Sequence, residues 1–218
     1  MTAASLPFSP EGFRERAAAR LDHEAPLYPA DDIIPPLGDH ALTPALAARA
    51  QSVAAKQAAV LIPIIARETE ASVLLTKRTS HLQNHAGQIA FPGGRVDHTD
   101  ASPLITALRE TEEEIGLDRS LVTPLGYLDL YMTGTGYRII PVVGLINPGH
   151  HLTLNPAEVD DAFEVPLSFL MSPENHLLHS RMVDGAERRF HAMPWREHYI
   201  WGATAGMLRN LYRRVYGA

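Results

Sequence analysis

Three carboxylates, Glu110, Glu113 and Glu114, stand at i, i+3 and i+4 in the segment Arg109-Glu110-Thr111-Glu112-Glu113-Glu114-Ile115-Gly116-Leu117. Projected on a helix at about 100° per residue, they share one face while Glu112 points well away. Like charges at that spacing repel, and here they occupy the last turns, where the helix dipole disfavours negative charge. A segment kept for stability alone avoids both penalties. A divalent cation with oxygen ligands removes the repulsion. A bare run of glutamates is more often a solvated acidic face than a metal site, so neighbours must decide. Arg109 is placed to pair with a glutamate and fix its orientation. The loop Phe91-Pro92-Gly93-Gly94-Arg95 precedes the helix, and its paired glycines let backbone approach a ligand closely. Gly94 can offer its carbonyl to the same ion. Hard oxygen ligands suit Mg²⁺ or Mn²⁺.

The elements that must position these groups follow from the pattern around them. Residues 102–116 read as a helix with Ser102 as N-cap, Pro103 inside its start and Gly116 at its end. Leu104, Leu108, Thr111 and Ile115 form its apolar stripe, which packs on a sheet. Residues 58–66 are a continuous apolar run with β-branched residues, expected as a buried strand, with Pro63 marking a bulge or an edge. Strands are also expected at 72–78, 88–91, 126–131, 138–146, 161–165 and 188–192. Residues 9–22 read as a short helix with Ser9 as N-cap and Pro10 at its first position. A Pro- and Asp-rich connector over 25–43 leads to a second short helix at 44–52. Residues 200–215 read as a final helix stopped by Gly217. The strands do not alternate regularly with helices, so a mixed sheet with packed helices, an α+β class, is expected. Residues 1–57 then form an N-terminal extension with short helices, and 58–218 the main domain with its C-terminal helix.

Composition narrows the function. The chain has 218 residues, 45% hydrophobic and 20% charged, as a globular domain requires. It has no cysteine, which excludes disulfides, thiolate metal sites and cysteine nucleophiles. The formal net charge of -6 argues against a broadly basic nucleic-acid surface. An anionic substrate therefore needs a metal or a local Arg/Lys cluster. No apolar run approaches the roughly 20 residues of a membrane span. The start lacks a basic region followed by an apolar stretch, so a cytoplasmic protein is expected.

Gly94 followed by Arg109-Glu110-x-x-Glu113-Glu114-x-Gly116-Leu117 resembles the Nudix box. The gap from Gly94 to Arg109 is one residue longer than in the general box, so its spaced acid is best matched by Asp100 or is lost at Ala101. Upstream, Leu74-Leu75-Thr76-Lys77-Arg78-Thr79, Gly87 and Phe91-Pro92-Gly93-Gly94 resemble the additional signature of the coenzyme A pyrophosphatases within that superfamily. The signature usually has Ser or Ala at Thr79 and Arg at Gln83, so one phosphate contact is missing. The similarity continues through Glu158-Val159, Phe163-Glu164-Val165-Pro166-Leu167 and Ile200-Trp201-Gly202-Ala203-Thr204-Ala205, and covers roughly residues 58–212.

The resemblance implies the Nudix fold, a mixed sheet between helices in an α/β/α sandwich. It implies hydrolysis of the diphosphate of coenzyme A or an acyl-coenzyme A. ADP-ribose or another nucleoside diphosphate derivative is the alternative substrate, and a non-catalytic nucleotide sensor the alternative class. Glu110 and Glu114 would be the principal ligands of Mg²⁺ or Mn²⁺, joined by Gly94, with Glu113 a further ligand or the base and Arg109 orienting the cluster. Arg78, Gly87, Phe91, Gly93 and Gly94 would meet the substrate. Glu158 is a downstream candidate base, although a lone glutamate more often serves at the surface or as a cap. His81 and His85 flank the Gly87 loop; they and His150-His151 read as surface residues. Arg188-Arg189 read as a strand end, with a phosphate contact the alternative. Trp195 and Trp201 read as core or interface. Tyr199, Trp201, Met207, Leu211 and Tyr212 exceed the needs of one helix face, from which a homodimer is expected.

Overall fold

The computed structural model describes residues 6–30, 32–80, 87–183 and 185–217. The readings placed on His81, Gln83 and His85 lie outside the described residues. The chain opens with α1 (Pro10–Arg20), β1 (Leu37–Gly38) and α2 (Ala45–Gln51). Four strands follow: β2 (Lys56–Ile65), β3 (Ser72–Arg78), β4 (Ile89–Ala90) and β5 (Gly93–Arg95). Next come α3 (Pro103–Ile115), β6 (Val122–Tyr127), β7 (Tyr131–Met132), β8 (Tyr137–Ile146) and β9 (Val159–Pro166). The chain closes with α4 (Leu167–Leu170), β10 (Leu177–Val183), β11 (Ala186–Trp195), β12 (His198–Trp201) and α5 (Ala203–Val215).

The main sheet is mixed. Its order is β1-β7-β8-β2-β3-β4, with β5 also paired to β2, β6 to β8 and β9 to β3. β2 and β8 run parallel in continuous register from Lys56↔Tyr137 to Ile65↔Ile146. Pro63 is therefore central rather than at an edge. On the other side of β2, β5 pairs only with Ala58–Val60 and β3 only with Ile64 and Ile65. Pro63 falls in the gap between them, where no ladder partner needs its missing N–H.

Side chains of β2 alternate between two cores, as a pleated strand must. Val60, Ile62 and Ile64 join Phe13, Ala17, Leu208 and Leu211 on the face covered by α1 and α5. Ala59, Leu61 and Ile65 join Ala107, Leu108 and Ile115 on the face covered by α3. The sheet thus lies between helices, and the fold is the α+β sandwich expected. The N-terminal segment is bound into it. Phe13 and Ala17 are fully buried. The buried Arg138 guanidinium donates to the carbonyls of Pro29, Ala30 and Ile33, which holds the irregular connector against β8.

α3 begins and ends where its residues direct. The Ser102 hydroxyl accepts from the Ile105 amide at 3.3 Å, Pro103 is the first helical residue, and Gly116 closes the helix at φ 66. Ser102→Ala is expected to cost about 1 kcal/mol, read as a lowered Tm with activity retained.

Two expectations are corrected. The last helix starts at Ala203, not at 200, because Ile200 and Trp201 belong to β12 and Gly202, at φ 64, breaks the chain between them. Strand 188–192 is the middle of a separate three-stranded sheet, β10-β11-β12. β10 is mostly exposed and shows no apolar alternation to announce it. Met207 and Leu211 are buried in the core and Tyr212 packs against it, so the apolar surplus behind the homodimer expectation is largely used within one chain. Among the described residues, no helix is long and apolar enough to cross a membrane.

Candidate active site

α3 and the β5 loop meet face to face. Gly94 lies so close to Glu110 that a Cβ there would stand 2.4 Å from the Glu110 carboxylate. Any side chain there would push the Glu110 carboxylate aside. One residue earlier, the Gly93 amide donates to Glu114 Oε2 at 3.1 Å. Two glutamates one helical turn apart therefore address two successive glycines.

The two carboxylates differ in environment. Glu114 is only 3% exposed, and burial pushes its carboxyl up to about 7, against the opposing pull of the Gly93 amide and Arg78. Arg78, at the end of β3, stands 3.6 Å from Glu114 Oε1. Glu110 is also raised by desolvation, while Arg109 pulls it down. The charge of Glu158 acts on both Glu110 and Glu114. Glu158 precedes β9, and its carbonyl accepts from the Thr79 amide at 3.0 Å, which ties it to the end of β3.

Arg109 is the organiser. Its Nε and Nη2 grip Asp100 Oδ1 and Oδ2 at 3.1 and 2.9 Å, a bidentate pair. Its Nη1 donates to Glu110 Oε1 at 2.9 Å and to Glu113 Oε2 at 3.2 Å. Asp100 also accepts from the Thr106 hydroxyl and the Asp97 amide, each at 2.9 Å. The Asp100 side chain is only 2% exposed. The bonds from Arg109, above all, hold its carboxyl far below the usual carboxylate range. Asp100 thus fills the position of the spaced acid as the anchor of Arg109.

Glu113 is turned outward, its side chain 56% exposed and held by Arg109 rather than by the loop. Glu112 pairs with Arg119, away from the site. Among the described residues, no three His, Asp or Glu side chains gather as a ready-made ion cage. Each glutamate of the face is instead paired with a guanidinium or an amide. The donor chemistry nevertheless fits a hard divalent cation. Two carboxylates share one face of α3 against a glycine loop, and one is buried at a high proton-affinity cost that a cation would offset.

That cost predicts a linkage. In the unfolded chain Glu114 titrates near 4.5, and in the fold near 7. Between these values the folded protein binds more protons, so stability falls as pH rises through the window and is flat above it. His191, half-buried and lowered to about 4 by desolvation, contributes the opposite slope in part of that range. The difference between wild type and Glu114→Gln isolates Glu114. In chelator, wild type is expected to lose roughly 3 kcal/mol relative to Glu114→Gln between about pH 5 and about pH 8, followed by denaturant melts. Added Mg²⁺ should restore it at the alkaline end. Parallel pH profiles for the two proteins would refute the assignment.

The β5 loop also walls a cleft of about 440 Å³. Six arginines line it, Arg49, Arg78, Arg95, Arg181, Arg188 and Arg189. Among the described residues the one acid on the wall, Asp39, accepts from the Tyr131 hydroxyl and the Gly134 amide. Phe91 is a core residue that also borders the cleft. Gly87 does not border it; with φ 67 it folds back so that its amide meets the Arg78 carbonyl at 3.1 Å. Trp201 faces the cleft from β12, while Trp195 packs at a tilt against Phe169 at the core. The arginines of β10 and β11 were legible only in the pair Arg188-Arg189. Glu158 carried no spacing signal of its own.

Residues 55–185 match the family model described as "NUDIX domain". A Photorhabdus laumondii protein described as "Uncharacterized Nudix hydrolase NudL" is 42% identical over 160 residues, 73% of this chain and 85% of its own. Its Escherichia coli K12 counterpart, of the same description, is 42% identical over 164 residues, 73% of this chain and 83% of its own. Among solved structures, a Caenorhabditis elegans Ap4A hydrolase in a binary complex aligns with TM-score 0.42 and 18% identity, over 52% of this chain and 81% of that one. The matched span encloses the glutamate helix, its arginine anchor and the glycine loop, and with relatives so similar over most of their length the chain belongs to the Nudix hydrolases.

Proposed function

We propose that this chain is a metal-dependent diphosphatase of coenzyme A or acyl-coenzyme A, releasing 3′,5′-ADP and 4′-phosphopantetheine or its acyl form. The observation that carries the reading is the junction at Gly93-Gly94. The same loop meets two glutamates fit for a hard cation and walls an arginine-lined cleft in a chain of net charge -6. That combination suits a small polyanion with a bridge to cleave.

Glu110, Glu114 and the Gly94 carbonyl would hold Mg²⁺ or Mn²⁺. Bound there, the ion supplies charge neutralisation of the diphosphate and acidifies water. The protein supplies position and charge. Arg109, locked by Asp100, sets the rotamer of Glu110. Arg78 and Arg95 offer guanidinium donors to the non-bridging oxygens. A water oxygen bonds to one phosphorus, the bridging P–O bond breaks, and two phosphomonoesters leave. The water proton passes to a carboxylate. Glu158, whose charge reaches both Glu110 and Glu114, is better placed to accept it than Glu113, which Arg109 holds outward.

The test is a panel of coenzyme A, dephospho-coenzyme A, ADP-ribose, NADH and nucleoside triphosphates with Mg²⁺, with products identified by mass. Coenzyme A should yield 3′,5′-ADP. Cleavage of ADP-ribose alone would leave the Nudix chemistry and remove the coenzyme A assignment.

A further inference from the structure

Four of the six cleft arginines lie outside the glutamate loop and outside β3. Arg181 and Arg188 are directly opposite one another in the β10–β11 register, whereas Arg189, opposite Ser180, pairs with Glu187 at 3.4 Å. Like charges facing across a strand pair destabilise it. Arg181 also lies over the Trp201 ring, 4.6 Å from its centroid, with Phe190 beyond at 5.9 Å. Stacking engages the face of a guanidinium and leaves its edge directed for bidentate bonds to an oxyanion.

The fourth, Arg49, comes from α2, far away in sequence. What brings it is a clasp between segments 146 residues apart: the Arg189 amide donates to the Thr43 hydroxyl at 2.9 Å, and that hydroxyl reaches the Arg189 carbonyl at 3.4 Å. Arg78 stands 3.6 Å from Glu114, and Arg95 follows the glycine loop that meets the glutamates, where a diphosphate would lie. Arg49, Arg181 and Arg188 line the cleft beyond that point. The cleft is small and concave, which suits a small molecule rather than a nucleic acid.

Resting on the function proposed above, we infer that Arg181 and Arg188, supported by Arg49, bind a phosphomonoester carried by the nucleoside half of the substrate. The hairpin and the N-terminal segment together then act as the specificity wall, and the charge absent at Gln83 is supplied from elsewhere in the fold.

Calorimetric titration without turnover tests this, with adenosine 3′,5′-bisphosphate, 5′-AMP and inorganic phosphate as probes. In wild type the bisphosphate should bind roughly ten- to a hundredfold more tightly than 5′-AMP, the worth of one charge-assisted contact or two. Arg181→Gln with Arg188→Gln should bring that ratio close to unity. Arg181 is exposed, so Arg181→Gln alone serves if the double variant folds poorly, and Arg181→Lys should keep part of the preference. Equal binding of the two nucleotides by wild type overturns the inference, as does a preference that survives both substitutions. Inorganic phosphate binding as tightly as the bisphosphate assigns the cluster to the free ion and overturns it too. A protein that cleaves coenzyme A without the preference loses this inference alone. One that shows the preference without cleaving coenzyme A loses the proposed function alone.

Discussion

Glu114→Gln is expected to lower kcat by roughly two to three orders of magnitude while the fold stays intact. The substitution keeps the size of the side chain and an oxygen for the Gly93 amide, which donates to Glu114 at 3.1 Å. It removes the charge that a hard cation requires. Because that charge is buried at a cost, its loss should raise thermal stability at alkaline pH rather than lower it. A loss of activity with a gain of stability is hard to obtain from misfolding. Glu112→Gln is the internal control. It lies on the same helix, in the same acidic run, but pairs with Arg119 on the outer surface, so activity should change little. Glu158→Gln should lower kcat with little change in metal affinity, whereas Glu113→Gln should do less. Equal losses from Glu112→Gln and Glu114→Gln would sink the geometric argument. These comparisons need only initial rates at saturating Mg²⁺ and a melt for each variant.

The glutamate helix was legible because every signal in it is local. Ser102, Pro103, Gly116 and the spacing of Leu108, Thr111 and Ile115 act within a few turns, and the structure follows them. The glycine loop was legible for the same reason, since Gly93 and Gly94 are unusual residues at adjacent positions. The three-stranded sheet was not. β10 packs little apolar surface, and what holds it is the ladder to β11, a pairing that leaves no period in the sequence. The Thr43–Arg189 clasp joins segments that no local pattern relates. Pro63 misled because an edge strand and a gap between two partners satisfy the same missing donor. The place of Glu158 was not legible because it depends on β9 returning beside β3, where Val159 pairs with Arg78. The acidic chemistry is thus written in short-range spacing, and the basic wall that would choose the substrate is written in tertiary pairing.

Asp100 joins these two levels, and its removal is the second large effect expected. Its carboxylate is buried and receives two bonds from Arg109, one from the Thr106 hydroxyl and one from the Asp97 amide. Asp100→Asn keeps the shape, but an amide offers one acceptor where the carboxylate offered two. Arg109 then loses its fixed partner, and its Nη1 grip on Glu110 and Glu113 relaxes with it. Breaking a buried pair by removing one partner costs about 3 kcal/mol or more. The pH dependence has a definite sign. Asp100 is held well below its ordinary value, so its contribution is fully present above the unfolded value near 3.8 and is lost as pH falls toward the lowered one. Wild type should therefore lose this increment only in strong acid, and Asp100→Asn should lack it throughout. In kinetics the residue acts through Arg109, so kcat should fall about tenfold or more, while KM for substrate stays near its wild-type value. Arg109→Lys should mimic it, because lysine cannot bridge Asp100 and two glutamates at once. Combining Asp100→Asn with Arg109→Lys should then cost far less than the sum of the two. Additive losses would mean that Asp100 stabilises the loop without positioning the arginine, and the role given to it here would fall.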